Sequence, residues 1–191
     1  MNIIVKPYGS ELCYCRPDTT WERENKDFYS PECVKELHWA PIVFARICKA
    51  GKCIGKKFAP RYYDAINFGA LLYCHTGSSS DIAFTSCVDH TSLLPSPMHS
   101  PEILENPDNG YMVERNGEVI FSTKGNTDTA DLKAELEAAI CRASQLTTLR
   151  IGDFVAVELG PVSLLTTCQE GTAQLMSSFG GNELFNLKTI F

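Results

Sequence analysis

The sequence predicts an α+β fold in which strands predominate and one long helix stands against them. Three observations carry this. Between Ala40 and Cys74, short apolar runs alternate with turn residues at the spacing of consecutive strands. In "YMVERNGEVIFS" (111–122) two alternating runs flank Asn116-Gly117, a pair suited to the positive φ angles of a type I′ hairpin turn. In "TDTADLKAELEAAICRASQL" (127–146) Leu132, Leu136, Ala139, Ile140, Ala143 and Leu146 recur at helical spacing.

Taken along the chain, "NIIVK" (2–6) reads as a first strand. Residues 16–36 are polar and broken by proline, with a short helix expected from Pro31 to Leu37 because proline suits a first helical turn. "APIVFARICK", "CIGKKFAP" and "YYDAINFGALLYC" (62–74) read as successive strands, the last from its aromatic and branched residues. "TGSSSD" (76–81) is a loop, and the prolines of "LLPSPMHSP" (93–101) exclude the middle of a sheet. The principal helix is expected at about 129–147, capped by Asp128 or Thr129 and favoured by Asp131 in its first turn. "IGDFVAVEL" (151–159) then reads as a strand entered through Gly152-Asp153, where Asp153 accepts backbone hydrogen bonds.

The 191 residues, 44% of them hydrophobic, bury one substantial core and predict a single domain over 1–191. A net charge of −6 argues against nucleic acid, which demands a basic face. The run before Lys6 and Pro7 is too short for a secretory signal, and no stretch approaches a membrane span. Nine cysteines without a compact framework read as reduced thiols in a cytoplasmic protein.

Several segments in order resemble the fumarylacetoacetate hydrolase family. "PIVFAR" (Pro41, Phe44, Arg46) is similar to its Pro-x-x-Phe-x-Lys segment, and "AINFGALLYC" to its strand of alternating acids. "SCVDHTSLLPSP" is similar to its Ser-Phe-Asp run, and "NGEVI", the helix and "LTTLRIGDFVAVEL" to its hairpin, helix and Gly-Asp strand. The resemblance is strongest over 41–165 and implies a mixed β-sheet roll with one principal helix. It also implies cleavage or rearrangement of acylpyruvate-like or unsaturated keto acids at a divalent metal.

The site residues follow that resemblance only in part. The family places two glutamates two residues apart on one strand face to hold magnesium or manganese; here the positions are Ala65 and Asn67. Asp64, Asp81 and Asp89 are the remaining candidate ligands, so Mg²⁺ or Mn²⁺ is expected only in an altered site. The family's catalytic histidine falls near Cys33, leaving Glu36 and His38 as the candidate pair, and Thr85 replaces a lysine. Arg46 and Lys49 are candidate contacts for a small anionic keto acid, Arg46 because a guanidinium grips a carboxylate bidentately. Glu158 stands where the family's substrate-contacting turn begins.

Other constellations carry less. Cys74-His75 and Cys87-x-x-His90 lack paired zinc spacing and read as ordinary cysteines and histidines, and Cys33 as a buried structural thiol. The lysines around Gly51 read as a solvated hairpin. Sheet edges and the apolar segment "ELFNLKTIF" (183–191) suggest a self-association surface and a homodimer. The expectation is a hydrolase or isomerase relative whose metal-dependent C–C cleavage is lost or reduced; the alternative is a non-catalytic anion-binding or assembly protein on the same fold.

Overall fold

The computed structural model describes residues 1–77, 82–106, 109–124 and 129–191. Its first strands are β1 (Ile3–Lys6), β2 (Tyr14–Arg16), β3 (Trp21–Glu22) and β4 (Phe28–Tyr29). Two long strands follow, β5 (Glu36–Ile47) and β6 (Tyr63–His75), then a helical turn α1 (Ile82–Thr85) and β7 (Ser92–Leu93). The hairpin is β8 (Tyr111–Arg115) and β9 (Glu118–Ser122), and the principal helix is α2 (Thr129–Leu146). The chain continues through β10 (Phe154–Glu158), β11 (Ser163–Thr167), β12 (Thr172–Phe179) and β13 (Asn182–Ile190).

Two sheets organise these strands. The larger runs β2-β1-β10-β5-β6-β7-β3, with β11 pairing the start of β5; the smaller runs β4-β13-β12-β8-β9. Within the larger sheet β1 lies parallel to β10, while β5 runs antiparallel to both its neighbours, β10 and β6. The core lies between the sheets and α2, where Leu132, Leu136, Ala139, Ile140 and Ala143 of the helix join Val43, Ile66, Phe68, Leu72, Leu175 and Leu187. Burial of this helical stripe is what stabilises α2, since in proteins most helical stability comes from packing an amphipathic face.

The hairpin forms as its turn chemistry requires, with φ of 51° at Asn116 and 83° at Gly117. Asp153 is buried, its Oδ1 accepting from the Asn2 amide at 2.7 Å and its Oδ2 from the Arg150 amide at 2.8 Å. The α2 boundaries meet the expectation of 129–147 within a residue, while the proposed Asp128 cap lies outside the described residues.

Four expectations are corrected. Residues 31–35 form a turn rather than a helix, because Lys35 already donates to the His75 carbonyl and accepts from the Cys168 amide as β5 begins. Cys33, on that turn, is exposed rather than buried. "CIGKKFAP" is not a strand: Lys56–Arg61 is a 3₁₀ helix holding Pro60, which has no N–H to give a ladder. The segment is anchored to α2 by the Cys53 and Ile54 amides, which donate to the carbonyl and hydroxyl of Ser144. "ELFNLKTIF" is no exposed patch either, because β13 is an interior strand between β12 and β4, with Phe185 and Leu187 buried.

Candidate functional site

The face of the larger sheet turned away from α2 is where the family resemblance would place a metal. Register fixes what lies there: Arg46 opposite Ala65, Phe44 opposite Asn67 and Ile42 opposite Gly69, with Ala156 and Glu158 of β10 opposite Phe44 and Ile42. Strand alternation aims these residues at one side. That side is filled by hydrocarbon, in a cluster that includes Ile3, Val5, Ile42, Phe44, Leu71, Leu94, Phe154 and Ala156. Phe154 meets Trp21 and Phe44 edge-on, at ring separations of 5.1 and 5.6 Å.

Asn67 is 1% exposed and fully engaged. Its amide nitrogen donates to the Pro95 and Pro97 carbonyls, each at 3.1 Å, and its oxygen accepts from the Phe68 amide at 2.8 Å. The loop it holds presses on Gly69, where an added Cβ would lie 2.2 Å from the Leu93 carbonyl oxygen. Ala65 offers no ligand atom. Asp64 is turned to Arg46, with Nε–Oδ1 at 3.1 Å and Nη2–Oδ2 at 3.0 Å, both side chains half-exposed. Asp89 is exposed, and Asp81 lies outside the described residues. Among the described residues no group of three or more His, Cys, Asp or Glu could hold a metal ion, so this donor set does not fit Mg²⁺ or Mn²⁺, which take several oxygen ligands each. Cys74, His75, Cys87 and His90 form no zinc grouping among the described residues either.

Glu36 and His38 do meet, Nε2 to Oε2 at 3.0 Å, and the His38 ring lies 4.3 Å from that of His75. Burial and the neighbouring His38 push the His75 pKa down. This pair is remote from Asn67: His38 stands opposite Tyr73, six residues along β6, or roughly 20 Å at about 3.3 Å per residue. Lys49 is exposed, its ammonium 5.3 Å from the Tyr62 ring centre.

Glu158 is 4% exposed and anchors a buried polar chain. Its Oε2 accepts from the Tyr8 amide at 2.9 Å, its Oε1 accepts from the Tyr73 hydroxyl, and Tyr73 in turn shares a 2.6 Å bond with the Tyr14 hydroxyl. Burial raises the Glu158 pKa despite these hydrogen bonds, and it pushes Tyr14 up to about 12. Beside them Arg16, 1% exposed, donates to the Ser86, Thr91 and Leu72 carbonyls and to Ser92 Oγ, with its guanidinium 5.0 Å from the Tyr73 ring centre. A cavity of about 430 Å³, lined by Lys6, Tyr8, Asp131, Glu135 and Glu158 among others, opens beside the carboxyl group.

A second constellation has no counterpart in the sequence reading. Parallel pairing of β3 with β7 sets Trp21 against Ser92 and Glu22 against Leu93, which brings Glu22 to His90. Glu22 is buried, its Oε1 accepts from the Glu24 and Lys26 amides at 2.7 and 3.4 Å, and its Oε2 lies 2.8 Å from His90 Nδ1. His90 itself is 63% exposed and has a left-handed φ of 61°. Next to them Arg23 lies over the Trp21 ring at 4.2 Å, and Trp21 is fixed by its indole N–H donating to the Leu94 carbonyl at 3.0 Å. Cavities of about 550 and 420 Å³ both reach Glu22, Lys26, Asp89 and His90, and the smaller also reaches Trp21 and Arg23. Nothing local in the sequence links positions 22 and 90; the β3–β7 pairing does, together with the His90 amide donating to the Thr19 carbonyl at 3.3 Å.

No family model and no curated protein sequence matches the chain. Solved structures do. Fumarylpyruvate hydrolase from Pseudomonas aeruginosa, solved with Mn²⁺ and pyruvate, superposes with a TM-score of 0.79 at 13% identity, covering 100% of this chain and 90% of that one. Maleylpyruvate hydrolase from Sphingobium sp. SYK-6 gives 0.76 at 14% identity, covering 99% and 70%. A 5-carboxymethyl-2-hydroxymuconate delta-isomerase from Mycobacterium smegmatis gives 0.77 at 14% identity, covering 99% and 78%. No helix among the described residues is long and apolar enough to cross a membrane. With its mostly β architecture, single long helix and these superpositions, the chain has the fumarylacetoacetate hydrolase fold.

Proposed function

We propose that the chain is a hydrolase/isomerase-type protein of this fold that takes a small anionic keto acid and has lost, or keeps only weakly, metal-dependent cleavage of a carbon–carbon bond. One observation carries the reading: Asn67, at a position where the family resemblance calls for a metal-binding glutamate, is committed to the Pro95 and Pro97 carbonyls. With Ala65 beside it and hydrocarbon over the same face, the fold's usual cation has no cradle there. The keto-acid class is supported by neighbours of the same fold, one of them solved with Mn²⁺ and pyruvate. We place the protein in the cytoplasm, in keeping with its free thiols. The alternative of an anion-binding or assembly protein acting through Arg46 and Lys49 has less support, because Asp64 already grips the Arg46 guanidinium.

The test is calorimetric titration of chelator-stripped protein with Mg²⁺ and Mn²⁺, alone and with oxalate in place of the keto-acid head. The expected result is no stoichiometric metal binding in either case, and no metal-stimulated acylpyruvate hydrolysis or oxaloacetate decarboxylation. Tight binding of one metal per chain, with turnover that depends on it, overturns the proposal.

A further inference from the structure

We propose that Glu22, Arg23 and His90 form a metal-free site for proton transfer on a small keto acid, with His90 Nε2 as the acid–base atom and Arg23 as the carboxylate anchor. The proposal rests on the keto-acid reading above and moves its location to the β3–β7 edge. It uses neither Glu36 nor His38 and none of the positions that the family resemblance assigns.

Four features of the geometry support it. The Glu22 carboxylate is buried and both its oxygens are engaged, so it is a fixed acceptor that holds His90 in the tautomer with the proton on Nδ1. Nε2 is then the basic nitrogen, on a side chain that remains 63% exposed. A buried carboxylate orienting an open imidazole is the arrangement a general base requires. Arg23 makes no hydrogen bond or ion pair among the described residues, yet its guanidinium is held over an indole that is itself pinned. A preoriented, uncommitted fork of donors suits a carboxylate. Both groups reach one cavity of about 420 Å³, ample for a molecule of a few heavy atoms. His90 also holds a left-handed backbone, a strained conformation of the sort that clusters at functional sites.

The step balances within the substrate. His90 Nε2 takes a proton from the carbon next to the keto group. The C–H electron pair becomes a C=C bond, and the carbonyl π electrons move to oxygen as an enolate. His90 Nε2, which is open to solvent and can trade its proton with water, then returns a proton to the original carbon or, in an unsaturated acid, to a more distant carbon of the conjugated system. Nothing is oxidised or reduced.

Pyruvate is the probe, with EDTA present. The wild-type chain is expected to accelerate exchange of the methyl protons with D₂O, read by proton NMR, and to shift the His90 imidazole resonances as pyruvate is added. H90N, chosen because asparagine tolerates the left-handed backbone, loses the acceleration by about 10²–10⁴-fold. R23Q raises the pyruvate concentration needed by about tenfold or more with smaller change at saturation. E22Q shifts the His90 tautomer balance, read from the imidazole ¹⁵N shifts, and lowers the exchange rate at saturating pyruvate, the part that a purely structural role would leave alone. Undiminished exchange in H90N overturns the site. Pyruvate binding that perturbs other residues and leaves His90 unmoved also overturns it, while leaving the keto-acid reading intact. Absence of pyruvate binding anywhere removes both.

Discussion

Glu158 is a buried carboxyl group that takes hydrogen bonds from the Tyr8 amide and the Tyr73 hydroxyl. A carboxyl group buried at 4% exposure resists ionisation, and its pKa stands above the ordinary value because burial outweighs the hydrogen bonds from Tyr73 and Tyr8. The sign of the consequence follows from linkage. A carboxyl whose folded pKa exceeds its unfolded one favours the native state fully at pH below the unfolded value. That contribution fades as pH rises through the raised folded value, where the native state must carry a buried charge. In E158Q the amide oxygen can accept from the Tyr8 amide while the amide nitrogen donates to Tyr73, whose hydroxyl turns to Tyr14. Urea denaturation between pH 4 and pH 8 should therefore show E158Q gaining on the wild type as pH rises. A constant difference across that range would mean that Glu158 titrates as an exposed glutamate does.

Among the elements, β6 and the loop over it decide whether the fold's metal face is open. Asn67→Asp puts a carboxylate, which has no proton to donate, against the Pro95 and Pro97 carbonyls. Two buried acceptors lose their donors at about 1–3 kcal/mol each. The melting temperature should fall by on the order of 10 °C and stay there when Mn²⁺ is added. Stabilisation of N67D by Mn²⁺ would show that the position faces a working cation site. Element-level features were the most legible in the sequence. Asn116-Gly117 announces its hairpin through backbone preference, and α2 through the recurrence of Leu132, Leu136 and Ile140. The 3₁₀ helix at Lys56–Arg61 and the turn at 31–35 were not legible, because partners far along the chain, Ser144 and His75, decide both. Ala65 and Asn67 could be named from sequence as altered positions, whereas the clamp on Pro95 and Pro97 required the loop to be seen. Glu22 and His90, far apart in the sequence, are brought together by the β3–β7 pairing.

At the scale of the whole molecule, the two sheets share one core. Phe68 of the larger sheet lies 4.9 Å from the Tyr111 ring and 4.7 Å from the Phe179 ring of the smaller one, and the Tyr111 hydroxyl donates to the Gly69 carbonyl at 2.7 Å. The same cluster takes in α2 through Leu136 and Ile140 and reaches β1 through Ile4. The smaller sheet packs its apolar face on that shared cluster, while the larger sheet also buries Ile42, Phe44 and Phe154 on its other face, and we propose that residues 1–191 fold as a single cooperative domain. Both tryptophans, Trp21 and Trp39, belong to strands of the larger sheet, so their fluorescence follows that sheet while far-ultraviolet circular dichroism follows the whole chain. The two signals should trace one urea transition with a common midpoint. Phe68→Ala removes the ring that joins the sheets and should cost about 3–5 kcal/mol, moving both signals together. Two midpoints, or a mutation that moves the dichroism without the fluorescence, would mean that the smaller sheet folds as a separate unit.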